Sequence, residues 1–311
     1  MAHRIKLLAC VGVCAVAGLG VASCGGRGAR APEGADSPQE QQLLGGTADF
    51  AIAVRIDRLR NDPVYMQLID EDAKNDGDVA KVLANVTSID AVGTFDGGTW
   101  AQPSLVLAVR GARGLMDMPD GWRKDLDDGG AGHTLPTGVF EYVTVAKDGW
   151  PWGVYLTPKD WVVLSGKAAG HGRDWFTSST TPPPPVDFGE DVLLGMWIGP
   201  NAMHRMSMKD CANEPGTLGL DHATFVLRDG AHGDLIYSGT YDTSAHAQDA
   251  ARAASDSVGM YASVWKRLVD QCPALGGLGL ETNLEGRTIE MRVTNVPSTI
   301  HAAMKCQGMK M

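Results

Sequence analysis

The sequence carries no C-x-x-C pair, no H-E-x-x-H, no G-x-S-x-G and no Walker loop. Those absences remove support for a zinc ribbon, a thioredoxin-type centre, a zinc hydrolase, a hydrolase nucleophile elbow and a P-loop NTPase. No G-x-G-x-x-G follows a strand-like segment. Gly276-Gly277-Leu278-Gly279 instead leads into one, so it reads as a turn rather than a phosphate cradle. Ser263-Val264-Trp265-Lys266 matches the S-x-x-K acylation tetrad of penicillin-binding enzymes, but the companion S-x-N and K-T-G elements are missing. Trp265 also falls on the apolar stripe of a helix, which core packing explains.

Positive charge is scarce as well. Lys and Arg number 27 against 37 Asp and Glu. Residues 1–23 hold Arg4, Lys6 and no acid, so without them the balance is 25 against 37, a formal charge of −12. That sign argues against nucleic acid and against flat docking on anionic lipid. No metal or cofactor is expected. His133, His171, His204, His222, His232, His246 and His301 form no close pair on one helix face, although His222 and His232 flank one hairpin turn. Asp125-Leu126-Asp127-Asp128-Gly129-Gly130 lacks calcium ligands where Gly129 and Pro136 stand, and Lys74 interrupts the stretch from Asp70 to Asp78. Both read as solvated loops.

What is present begins at the N-terminus. Arg4 and Lys6 precede an uncharged apolar run over residues 7–22, shorter than the roughly 20 residues a spanning helix needs. Val21-Ala22-Ser23-Cys24 then places small residues before a cysteine, which completes a secretory signal. The segment resembles the bacterial lipobox, with valine and serine at positions where leucine and a smaller residue are usual. The resemblance implies cleavage after residue 23, a thioether-linked lipid on Cys24 and an N-acyl chain such as palmitate. Gly25 rather than Asp resembles the outer-membrane sorting signal. Two or three acyl chains, at about 0.8 kcal/mol per buried methylene, hold a protein firmly on a bilayer.

Two of the six cysteines, Cys10 and Cys14, leave with the signal, and Cys24 takes lipid. Cys211, Cys272 and Cys306 remain to pair in an oxidising compartment. Three single bridges are open to them. Cys211 with Cys272 is the expected pair, because both sit beside turn residues near predicted helix ends.

Residues 24–46 are rich in Gly, Ala, Pro, Glu and Gln and read as a disordered tether. Residues 179–186, centred on Pro182 to Pro185, read as a stiff linker between a first unit at 47–178 and a second at 187–311. In the first, Phe50, Ile52, Val54 and Ile56 alternate as a strand does. Helices follow Asp62-Pro63 and span 79–86, then strands run over 89–96, 105–109, 139–145, 153–156 and 161–164. In the second, strands at 192–198, 220–228 and 235–241 precede a helix over 244–271. Strands at 278–284 and 288–293 and a terminal helix near 298–306 complete it.

The halves share a rhythm. Ile89-Asp90-Ala91 lies 16 residues before Leu105, and Leu220-Asp221-His222 lies 15 before Leu235. The fold class expected is α+β: two similar antiparallel-sheet units with helices packed on one face, after a disordered tether. This order resembles the tandem α+β lipoproteins of unknown function in myxobacteria and their relatives.

Trp150-Pro151-Trp152 falls in a strand-to-strand turn and is a candidate binding patch, unless those rings plug the end of the sheet core. The function expected is a non-enzymatic binding or assembly module on the cell envelope, facing periplasm or cell surface. Its partners are the membrane and an envelope protein or ligand. A lipid or hydrophobic-ligand carrier and an enzyme without a recognisable motif are the alternatives.

Overall fold

A computed structural model describes residues 31–61, 77–95, 103–114, 116–129, 132–145, 149–200, 202, 219–229, 233–253, 270, 273, 276 and 279–296. The signal segment, Cys24, Cys211, Cys272 and Cys306 lie outside them. So do His204, His232, His301, the S-x-x-K tetrad and the expected helices after Asp62-Pro63 and near 298–306. The described chain is mixed α+β, dominated by antiparallel sheet with few helices. It divides into two compact units, one of residues 31–57 and 77–188, the other of residues 58–61 and 189–296.

The first unit contains strands β1 (Phe50–Val54), β2 (Ser88–Thr94), β3 (Ser104–Arg110), β4 (His133–Thr134), β5 (Phe140–Val145), β6 (Pro151–Leu156) and β7 (Asp160–Ser165). They run in the antiparallel order β1-β2-β3-β7-β6-β5-β4. Helices α1 (Pro38–Leu44), α2 (Ile56–Leu59, a single turn at the edge of this unit), α3 (Gly77–Asn85), α4 (Asp120–Gly129) and α5 (Lys167–Ser178) intervene. Side chains alternate across a strand, so register decides which residues meet. Asp90, Arg110, Asp160, Glu141 and Tyr155 share one face; Ile89, Leu107, Trp161 and Tyr142 share the other.

On the first face α1 and α5 pack against the sheet and against each other. Tyr155 stacks on Phe176 of α5 with ring centroids 4.6 Å apart. A Cβ on Gly172 would sit 2.3 Å from the Leu164 side chain, so only glycine lets the helix approach this closely. Helix α4 lies on the opposite face. Its Trp122, buried, approaches Trp161 at 6.3 Å, and Leu126 one turn later is also buried. Helices therefore cover both faces of this sheet rather than one. The Asp125–Asp128 stretch, read as loop, lies within α4, because Trp122 and Leu126 at four-residue spacing make a buried stripe that the exposed Asp127 and Asp128 flank.

Residues 31–46 are not a tether. Ser37 caps α1 by accepting the Glu40 amide at 3.2 Å, Pro38 opens the first turn and Gly45 closes the helix with φ of 72°. Leu43 and Leu44 are fully buried, worth about 1.5–3 kcal/mol each. Composition suggested disorder here, but two leucines and a complete set of caps overrule it.

The Pro-rich segment belongs to the first unit. Prolines cannot donate, so the run offers only carbonyls. Trp175 Nε1 donates to Thr181 O at 3.1 Å, Arg110 Nη2 to Pro183 O at 2.5 Å and Arg55 Nη2 to Val186 O at 2.5 Å. Glu33 pairs with Asp187 just beyond. This strap is bound to the sheet rather than spanning free.

The second unit contains β8 (Val192–Ile198), β9 (Leu220–Arg228), β10 (Leu235–Tyr241), β11 (Gly279–Glu285) and β12 (Thr288–Thr294), in the order β8-β9-β10-β12-β11. Residues 244–253 are helical and bury Ala247 and Ala250 against Leu220, Ala223, Tyr237, Tyr241 and Ile289. Phe225 and Tyr237, directly opposed across β9 and β10, bring their rings to 4.9 Å. Gly286, at φ of 59°, turns the β11–β12 hairpin.

Candidate functional site

Ionisable side chains collect at two places on the α1–α5 face of the first sheet. At one, Asp90 on β2 is almost fully buried, and two arginines neutralise it. Arg55, just past β1, reaches it at 2.9 Å and Arg110, closing β3, at 3.1 Å. Ser88, two residues earlier on the same face, donates to it at 3.3 Å. Arg110 also lies 3.9 Å from Asp160, which accepts the Gly111 amide at 2.9 Å. Each arginine is engaged both by Asp90 and by a strap carbonyl, so the arrangement is a buried clamp.

At the other place the strands set Glu141 on β5 directly between His133 on β4 and Tyr155 on β6. Glu141 is fully buried. His133 Nε2 lies 2.8 Å and Arg173 Nε 3.4 Å from one carboxylate oxygen, and the Tyr155 hydroxyl donates to the other at 3.4 Å. Arg173 Nη2 also meets His133 Nε2 at 2.5 Å. A ring nitrogen cannot accept from the guanidinium and donate to the carboxylate at once. With the proton on Nδ1 the ring accepts from Arg173; with the proton on Nε2 it faces the Glu141 carboxylate instead. Burial, and then the Glu141 charge, push the Tyr155 hydroxyl well above its usual range. Both His133 and Arg173 are partly exposed, so the pair presents an imidazole and a guanidinium to solvent over a buried carboxylate.

A third acid, Glu40 on α1, is 2% exposed. Its carboxylate accepts from Ser37 Oγ at 2.8 Å, and no lysine or arginine nitrogen of the described residues comes within 4 Å of it. Burial, only partly offset by Ser37, raises its pKa to about 7.

The candidate patch residues Trp150 and Trp152 are each half-buried. The Trp150 ring lies against Gly166, where a Cβ would be 2.7 Å from it, while Trp152 stands between Thr144 and Ser165. The larger apolar exposure is beside them on β5, where Val143 is 43% and Val145 62% exposed. Alternation over Val143 and Val145 signals a strand but not which face is covered, so the sequence could not single them out. In the second unit His246 pairs with Asp242 at 2.6 Å on one exposed helix end. His222 is opposite Thr240, well inside β9, and burial lowers its pKa. Among the described residues no three His, Cys, Asp or Glu side chains come together as a metal site, and no helix is long and apolar enough to cross a membrane.

No family model matches the sequence, and comparison with curated proteins and with solved structures finds no match.

Proposed function

We propose that the chain is an envelope lipoprotein, held on the outer membrane through lipid on Cys24, that acts by binding or assembly rather than by catalysis. The observation that carries this reading is Val21-Ala22-Ser23-Cys24 behind a basic start and a short apolar run. The body is two divergent copies of one α+β unit. Two features support that. Strands β1-β2-β3-β7-β6 and β8-β9-β10-β12-β11 follow the same path, a three-strand meander joined by its third strand to the last strand of a later hairpin. Each copy also buries an acid, Asp90 or Asp221, near the start of its second strand.

Beyond that shared path the first copy adds β4 and β5, which have no counterpart among the described residues of the second. Val143 and Val145 stand exposed on the added β5. An apolar surface on the element that distinguishes the copies is where a partner protein would dock.

Membrane fractionation tests the anchor, and native electrophoresis of detergent-solubilised membranes tests the assembly. The wild type should sediment with membranes and migrate well above the mass of a single processed chain, itself smaller than the 32.9 kDa of all 311 residues. Cys24→Ser should become soluble, and Val143→Asp with Val145→Asp should stay on the membrane but migrate as the chain alone. A soluble wild type, or a double variant that migrates as the wild type does, contradicts the reading.

A further inference from the structure

We infer that α1 is a pH-operated latch on the N-terminal segment, docked on the first unit in acid and released as the pH rises. Its consequence for the membrane, a longer reach between Cys24 and the body, rests on the lipid-anchor reading; the latch itself does not.

The segment is held on the first unit by identifiable contacts, beginning with the Glu33–Asp187 pairing ahead of the helix. Leu43 and Leu44 insert beneath α5, His171 Nδ1 meets Leu43 O at 2.9 Å, and the Ala48 amide donates to Asp36 at 3.1 Å. Docking also buries the Glu40 carboxyl, which among the described residues has only the hydroxyl and backbone of Ser37, three residues earlier, to hydrogen-bond it. The elements packed against α1 offer it little counter-charge. Arg110 of β3 attracts it weakly from beyond ion-pair distance, being committed to Asp90 and Pro183 O, and Asp90 of β2 repels it. His171 of α5 stands at the far end of the helix. A protonated carboxyl suits this site, because the acid proton satisfies the group without a cation; a carboxylate does not.

Docking raises the Glu40 pKa from an ordinary 4.5 to about 7. The docked state therefore holds a proton that the released state gives up. Docking is strongest below pH 4.5, weakens as the pH climbs through the interval to about 7, and is weakest above it. Between pH 5 and pH 8 the docking equilibrium falls on the order of 70-fold.

Hydrogen exchange on full-length Cys24→Ser in solution, corrected for the intrinsic pH dependence of exchange, tests this without lipid. Amides of residues 40–44 should lose protection by about 70-fold from pH 5 to pH 8, while β2 and β3 amides keep theirs. Adding Glu40→Gln, a neutral isostere, should leave the 40–44 amides protected at both pH values. Adding Leu43→Ala instead should lower protection at every pH and keep the slope. A flat profile without Glu40→Gln, or the same slope with it, overturns the latch. Loss of the slope in Leu43→Ala overturns it as well. Palmitate labelling decides the anchor separately, so failure of one does not register as failure of the other.

Discussion

Arg110 and Asp90, diagonal to each other across β3 and β2, close a 3.1 Å ion pair while a second nitrogen of the same guanidinium holds the Pro183 carbonyl at 2.5 Å. One side chain thus neutralises the most buried acid of its cluster and ties down a backbone run that has no donors of its own. Breaking a buried pair from one side leaves the other charge without compensation. Asp90→Ala should cost about 3–5 kcal/mol in urea unfolding, because Arg55 would lose its acid and Arg110 would keep only the more distant Asp160. Arg110→Met should cost less, yet speed protease cleavage between residues 179 and 186. A strap no more cleavable in that variant would show that the arginine does not hold it.

Two glycines on either side of the start of α5 should respond oppositely to alanine. Gly166 has φ of 60°, and a Cβ there would lie 2.6 Å from Ser104 Oγ and 2.7 Å from the Trp150 ring. Gly166→Ala should destabilise by about 1–3 kcal/mol and shift tryptophan emission. Gly170 lies inside the helix with nothing within 4 Å of an added Cβ. Gly170→Ala should stabilise by about 0.5–1 kcal/mol. Thermal melts of the two variants compare them directly.

Burial and the neighbouring Glu141 charge hold the Tyr155 hydroxyl above its ordinary value. In the unfolded chain it ionises near pH 10, so above that pH the unfolded state releases a proton that the folded state retains. Stability is full below pH 10 and falls as the pH rises further. Tyr155→Phe removes this liability. Its unfolding midpoint should decline less steeply between pH 10 and pH 11.5 than that of the wild type, and equal slopes would show that Tyr155 is not the group responsible.

Trp122 seals the α4 face against Trp161. Trp122→Ala should therefore cost about 3–5 kcal/mol in chemical denaturation. A cost under 1 kcal/mol would place the α4 packing outside the core.

The strands were largely legible. Val192–Ile198, Leu220–Arg228 and Leu235–Tyr241 read correctly to the residue, because their flanking turns are marked by glycine, proline and aspartate. Two helices were not. Helix α5 sits on the sheet through Ala168, Ala169, Gly172 and Phe176, small residues that give no hydrophobic stripe but allow close approach. Helix α1 carried its signal openly in Ser37-Pro38-Gln39-Glu40, an N-cap with an acid three residues on, which the surrounding composition outweighed. The clusters around Asp90 and Glu141 depend on register between strands that lie up to 50 residues apart in sequence. No local pattern encodes that. The exposed Val143 and Val145 were invisible for the same reason, since exposure depends on which strands α5 covers, and it packs on β3, β6 and β7.

Incorporation of radiolabelled palmitate into the wild type and Cys24→Ser, each expressed in a bacterial host, tests the central claim most directly. Label on the wild type and none on Cys24→Ser is the result expected of a lipoprotein anchored at that cysteine. A wild type without label, or equal label on both chains, would contradict the anchor and with it the envelope setting from which the binding role is argued.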